Sequence, residues 1–193
     1  MTDVAVGARL RAIEIGSRFE SRPYSTVRFF GAGLGPRTET MKALELKIPP
    51  VVQFLVVFAL MWLLAKYLPA LSAGIPARRI LVVLFFCLGG IVAVPAVAAF
   101  RSSGTTVDPR SPEKATQLVV SGVYRYSRNP MYLGLLCLLI AWATYLSNLL
   151  AFAWIPLFIG MMNHLQIQPE EEAMEKQFGQ KYRDYRKSVR RWI

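Results

Sequence analysis

The sequence is poor in the residues on which most metal and nucleophile sites rest. It carries one histidine, His164, and two cysteines, Cys87 and Cys137, in 193 residues. A lone His argues against a histidine-based metal centre. Two Cys inside apolar runs make neither a disulfide framework nor a zinc site; there a free thiol behaves as a small hydrophobe. No metal is expected. Charge is scarce as well: Asp, Glu, Lys and Arg make up 18% of the chain, against roughly 25% in a typical soluble protein. Residues 48–100 contain no acid, and residues 130–168 contain no Asp, Glu, Lys or Arg at all. With no acidic residue inside any apolar stretch, a transporter with an intramembrane carboxylate relay is disfavoured.

What the chain does have is apolar residues, 54% of it, and basic ones, 23 Lys and Arg against 12 acids for a net charge of +11. The mean hydropathy is positive, +0.35, in spite of those cations. Both facts hold because charge and apolar residues are segregated along the chain. Charges gather in residues 1–47, 101–129 and 169–193, flanking the apolar runs. Such a basic balance points to nucleic acid in a soluble protein, but cations beside apolar spans answer to anionic headgroups and membrane orientation. No nucleic-acid partner is expected. The sequence describes an integral membrane protein.

A bilayer core of about 30 Å needs about 20 mostly apolar helical residues. Candidate spans cover about 50–68 and 80–100, the second with Pro95 inside it, a kink that membrane helices tolerate. The apolar run that opens at Pro130 is too long for one crossing, and Ser147-Asn148 divides it into 130–146 and 149–167. Beyond Gly179, Tyr182, Tyr185 and Trp192 alternate with Lys and Arg, the pattern of an amphipathic helix on the membrane surface. The fold class expected is all-α: a polytopic membrane helix bundle of about four transmembrane helices plus a C-terminal amphipathic helix.

Residues 48–193 would form that membrane domain, and residues 1–47 a basic, poorly ordered extension. Its arginines resemble those of a transit peptide, but Asp3, Glu14 and Glu20 oppose that reading, and no apolar core of a secretory signal is present. Met41 opens a stretch, MKALELKIPP, that has the look of a natural start. With four spans, the amino end, the 101–129 connection and the tail share one side. That side is the more basic, so it is expected to be cytoplasmic.

Two polar regions meet the cytoplasmic ends of the last two spans. One, residues 116–134, sets Tyr124, Tyr126, Tyr132, Arg125 and Arg128 around a Ser121-Gly122 turn and a helix start at Pro130. Aromatic residues and arginines are normal at a membrane interface. A Gly turn and a helix N-terminus also present free N–H groups to a ligand. The other region runs from His164 to Tyr185. Pro169 can start a helix there, with Glu170, Glu171 and Glu172 in its first turn, where acids favour the dipole. A carboxylate at the end of an uncharged span is equally well placed to hold a cationic or polyhydroxyl ligand.

Together these regions resemble the isoprenylcysteine carboxyl methyltransferase and phospholipid N-methyltransferase family of integral membrane methyltransferases. The resemblance rests on Leu118-Val119, Ser121-Gly122-Val123-Tyr124, Arg128-Asn129-Pro130-Met131-Tyr132-Leu133-Gly134, Glu170-Glu171, Phe178-Gly179, Tyr182 and Tyr185, in order and at family spacing over about residues 116–186. It implies an S-adenosyl-L-methionine-dependent enzyme with its cofactor in a cytoplasm-facing pocket closed by the C-terminal helix. Carried over by position, cofactor contacts fall on Thr116, Gln117, Leu118, Val119, Tyr124, Asn129, Pro130, Met131, Tyr132 and Glu170.

Two positions depart from the family pattern. Asn129 replaces a His, and Gln166 stands where carboxyl-methylating members carry an Arg that faces the substrate carboxylate. Gln166 and Arg128 are therefore the candidate substrate contacts, and a neutral Gln suits an amine, a thiol or another lipid better than a carboxylate. Methyl transfer from a sulfonium is an in-line displacement that alignment can largely supply. An ammonium acceptor must also lose a proton, which Tyr132, Glu171 or His164 could take. The expected acceptor is lipophilic or lipid-linked and the expected partners are membrane lipids, with no obligate protein partner evident. A non-catalytic membrane protein of the same fold, binding a lipid or a partner, is the alternative.

Overall fold

The computed structural model describes residues 45–104 and 116–193, which belong to one compact unit. Nearly all of the extension proposed for residues 1–47, and Arg110 and Lys114 of the 101–129 connection, lie outside the described residues. Helix α1 is Pro50–Tyr67 and α2 is Arg78–Ser102. Helix α3 is Pro130–Leu146 and α4 is Leu149–Met162, followed by a π-helical turn, Asn163–Ile167. Helices α5, Gln168–Phe178, and α6, Gln180–Ser188, complete the chain. No strand occurs among the described residues beyond a single isolated bridge.

Proline sets two of the starts. Pro50 and Pro130 sit in the first turns of α1 and α3, where a missing N–H costs nothing. Between α3 and α4 the chain reverses at the two residues expected: Ser147 takes φ +52°, and the Asn148 side chain caps α4 by accepting from Leu150 N–H. The α1–α2 connection is tied to this turn. Asn148 Nδ2 donates to the Leu68 carbonyl at 2.9 Å, and Ala73 N–H to the Ser147 carbonyl at 2.7 Å. Both loops thus close the same end of the bundle, and the chemistry-bearing segments lie at the other.

Three helical stretches are long and apolar enough to cross a membrane: Pro50–Tyr67, Arg78–Ser102 and Leu149–Phe178. The 17-residue α3 is apolar but falls just short of that length; at 1.5 Å per residue it reaches about 26 Å. The last stretch corrects the expectation that a new helix begins at Pro169. Helix α4, the π turn and α5 form one continuous rod. Pro169 has no N–H for the Leu165 carbonyl, and Leu46 N–H donates to that carbonyl instead, at 3.0 Å. A 30-residue rod is about 45 Å long, so it overshoots a bilayer core. Its uncharged part ends before Glu170, and we take the span as residues 149–167, with α5 projecting beyond it.

Helices α2 and α3 share the most extensive interhelical contact, and glycine allows it. A Cβ on Gly134 would stand 2.6 Å from the Ala93 Cβ and 3.0 Å from the Gly89 carbonyl. Small residues at such crossings are how membrane helices gain packing energy. Helix α1 packs on α3 and α4 through Val57, Met61, Leu139, Ala143, Phe158 and Met162. The outward faces of α1 and α2, with Val51, Leu55, Ile80, Phe86, Ile91 and Val94 exposed, are apolar, as a lipid-facing surface must be. At the end of α1, Lys66 folds its ammonium over Trp62 and Tyr67, 5.0 and 5.5 Å from the ring centroids.

Candidate active site

A smaller apolar cluster of Ala96, Val119 and Tyr124, flanked by Phe100 and Met131, lies where α2 ends and α3 begins. The chain enters it through residues 116–121, which run without regular structure. It then turns at Gly122, φ +62°, into the 3₁₀ turn Gly122–Arg125. That positive φ is the reason for a glycine at this place. The turn buries Tyr124 and delivers Asn129-Pro130 to the start of α3.

A pocket forms between this segment, the first turn of α3, the first turn of α5 and the inner face of α6. Gln117, Leu118, Val119, Tyr124, Asn129, Pro130, Met131, Tyr132 and Glu170 line it, together with Arg128 and Glu171. Thr116 is not part of the lining. Phe100, Met174, Tyr182 and Tyr185 complete the walls, and the first two were not anticipated because apolar residues carry no mark of a site in sequence. The cavity has a volume of about 90 Å³, well below the roughly 300–1,000 Å³ of pockets for larger ligands.

Its central polar contact joins the two motifs. The Tyr132 hydroxyl donates to Glu170 Oε1. Burial of the Glu170 carboxyl raises its pKa to about 8; the Tyr132 hydrogen bond works the other way and the neighbouring Glu171 charge adds to the rise. The Tyr124 hydroxyl is buried and meets no hydrogen-bond partner among the described residues. Burial, then Tyr185 and Glu170, push its pKa up. Burial pushes Tyr182 up as well, and Tyr185 to about 12, with Arg128 opposing the Tyr185 shift. These phenols are neutral at any physiological pH. Tyr185 also donates to the Tyr124 backbone carbonyl at 2.7 Å, which fastens α6 over the pocket.

Glu171 faces the same wall but is committed elsewhere. It pairs with Arg128 at 2.9 Å and takes two bonds from Arg191, at 3.1 and 2.6 Å. The Asn129 side chain donates to the Arg191 carbonyl at 3.0 Å. Besides Thr116, two candidate residues stand outside the pocket lining. Gln166 is fully buried and donates to the Ile48 carbonyl at 2.6 Å, beside Gln53, which donates to the same oxygen at 3.0 Å; it holds the entry to α1. His164 lies on the π turn with Nδ1 buried and unpartnered among the described residues, outside the pocket lining.

Beyond Gly179, whose φ +54° and ψ −122° favour glycine, the tail forms the expected amphipathic helix, α6. Tyr182 and Tyr185 of α6, and Val189 just beyond it, face the protein, while Lys181, Arg183, Arg186, Lys187 and Arg190 are exposed.

The chain is thus an integral membrane helix bundle with a carboxylate-bearing, aromatic-walled pocket at one end. The family described as phospholipid methyltransferase matches residues 77–181, more than half the chain. An uncharacterised protein of Haemophilus influenzae is 46% identical over 63 residues, which is 33% of this chain and the whole of that protein. No solved structure matches. The chain belongs to the phospholipid methyltransferase family, a class of membrane methyltransferases.

Proposed function

We propose that this protein transfers a methyl group from S-adenosyl-L-methionine to a lipophilic or lipid-linked acceptor at the cytoplasmic face of a membrane. The observation that carries the reading is the Glu170 carboxylate, set with two buried phenols, Tyr132 and Tyr124, in a pocket whose other walls combine aromatic and apolar groups with Gln117, Asn129 and the Arg128–Glu171 pair. That donor set suits an amino-acid ammonium or ribose hydroxyls beside a flat ring. Bound there, the cofactor supplies a methyl group already activated on a sulfonium.

Glu170 would hold the cationic or hydroxyl end by a charge-assisted bond. Tyr124 has a free hydroxyl to offer, and the backbone of residues 117–119 offers further polar atoms. Phe100, Met131, Tyr182 and Tyr185 would cover the ring and exclude water. A cavity of about 90 Å³ is smaller than a nucleoside, so its walls must open to admit one. Of the three candidates for proton transfer, Tyr132 and Glu171 line the pocket, and Tyr132 could take a proton only by passing its own to Glu170. Glu171 is occupied by two guanidiniums, and His164 lies elsewhere. Alignment then supplies most of the acceleration.

The pocket end is the cytoplasmic one on the positive-inside argument: it carries Arg101, Arg125, Arg128 and the basic tail, against Lys66, Arg78 and Arg79 at the other end. A carboxylate, thiol or amine acceptor would reach the methyl group sideways from the lipid, and membrane lipids are the expected partners. The small cavity and the tying of Asn129 to the tail favour a second reading, a non-catalytic protein of this fold. Incubating protein in vesicles of total lipid extract with methyl-labelled cofactor separates the two. Label in the lipid fraction, absent with Glu170→Ala, supports the enzyme; no label with a folded sample overturns it.

A further inference from the structure

The last residues of the chain are sewn to the segment that opens α3. Arg128 N–H donates to the Arg190 carbonyl at 3.0 Å. Asn129 Nδ2 and Ser127 Oγ both donate to the Arg191 carbonyl, at 3.0 and 3.4 Å. Trp192 Nε1 donates to Asn163 Oδ1 at 3.1 Å and anchors the strap at its far end. From the strap the Arg191 guanidinium turns back to Glu171, at 3.1 and 2.6 Å. Glu171 in turn holds Arg128 at 2.9 Å, and that arginine side chain is only 9% exposed. Arg128 and Glu171 are pocket walls; Arg191 is not.

We propose that Asn129 and Arg191 are positioning residues of the donor site. Asn129 holds the strap backbone, the strap's Arg191 holds Glu171, and Glu171 holds Arg128 in the wall beside Glu170 and Tyr132. The inference rests on the reading of this pocket as a methyl-donor site. Its physical basis is the geometry of the carboxylate. A Glu shared between two guanidiniums, one of them bidentate, has little rotamer freedom left. Freed from Arg191, Glu171 and the buried Arg128 must find new partners, and the wall moves with them. Asn129 commits one of its two amide hydrogens to the tail, which fixes the orientation of its side chain. The residue that departs from the family motif thereby gains a role a ligand contact would not predict.

The test uses the full chain in detergent, with S-adenosylmethionine affinity measured by calorimetry and fold monitored by circular dichroism. Arg191→Gln and Asn129→Ala are each expected to weaken binding about tenfold. Arg191→Lys, which keeps the charge, should recover part of that loss. Because both residues act through one chain of contacts, the double variant should bind about as weakly as either single one. A separate packing role for each would give losses that multiply. Should Arg191→Gln fail to fold, Arg191→Lys and Asn129→Ala carry the comparison. Wild-type protein that binds no cofactor overturns the donor-site reading and this inference with it. Wild-type protein that binds, with folded variants that bind equally well or lose affinity multiplicatively, overturns the inference alone.

Discussion

Tyr132, in the first turn of α3, donates its hydroxyl hydrogen to the carboxylate of Glu170, in the first turn of α5, 38 positions along the chain. This bond joins the two polar segments that flank the final pair of spans. It also gives the Glu170 carboxyl a specific partner inside the pocket.

Removing that partner separates binding from stability. Tyr132→Phe leaves a buried carboxyl without its donor, at a cost of about 1–3 kcal/mol. Thermal unfolding in detergent should show the loss, and cofactor affinity should fall with it. Glu170→Gln keeps a hydrogen-bond acceptor for Tyr132, so it should melt close to wild type while losing affinity for the cation.

The raised pKa of Glu170, about 8, gives a signed pH dependence. Its folded value lies above the ordinary one, so the folded state binds a proton that the unfolded state has released. The contribution of this group to stability is therefore full below pH about 4.5 and lost as pH rises toward 8. A cationic ligand needs the carboxylate, so binding below pH 8 should release a proton and tighten as pH rises. Calorimetry in buffers of different ionisation enthalpy measures that proton. Glu170→Gln should abolish it.

Gly134 and Gly90 make a controlled pair. A Cβ at Gly134 runs into Ala93 at 2.6 Å, whereas one at Gly90 meets nothing within 4 Å. Gly134→Ala should force α2 and α3 apart and destabilise by about 1–3 kcal/mol. Gly90→Ala should leave the melting temperature within a few degrees of wild type.

Gly179 separates the cap from the bundle. Its backbone conformation costs a non-glycine residue about 1–3 kcal/mol. Gly179→Ala should displace α6 and with it Tyr182 and Tyr185. Cofactor affinity should drop while the helix content of the spans holds, which circular dichroism and calorimetry on one preparation would show.

Much of this architecture was legible in sequence because the signals are local. Long uncharged stretches mark the spans, Pro130 marks a helix start, and Ser147-Asn148 marks a reversal. The motif residues spread from Leu118 to Tyr185 include most of the pocket lining. What escaped depends on contacts between distant segments. Pro169 reads as a helix start unless Leu46 is known to satisfy the Leu165 carbonyl, which keeps the rod continuous. The tail's amphipathic pattern shows only that α6 has an apolar stripe; that a C-terminal helix closes the pocket comes from the family resemblance, and Tyr182 and Tyr185 do line it. Glu171 reads as a free acid until Arg191, twenty positions away, is seen to hold it. Gln166 and His164 are polar residues near the site in sequence, and the π turn directs them elsewhere.

The most direct test of the account is calorimetric titration of S-adenosylmethionine into detergent-purified, monodisperse protein, with Glu170→Ala beside it. The account predicts saturable one-site binding by the wild type and a loss of at least tenfold in affinity by the folded variant. Equal affinity in the two, or no binding by a folded wild type, would contradict it.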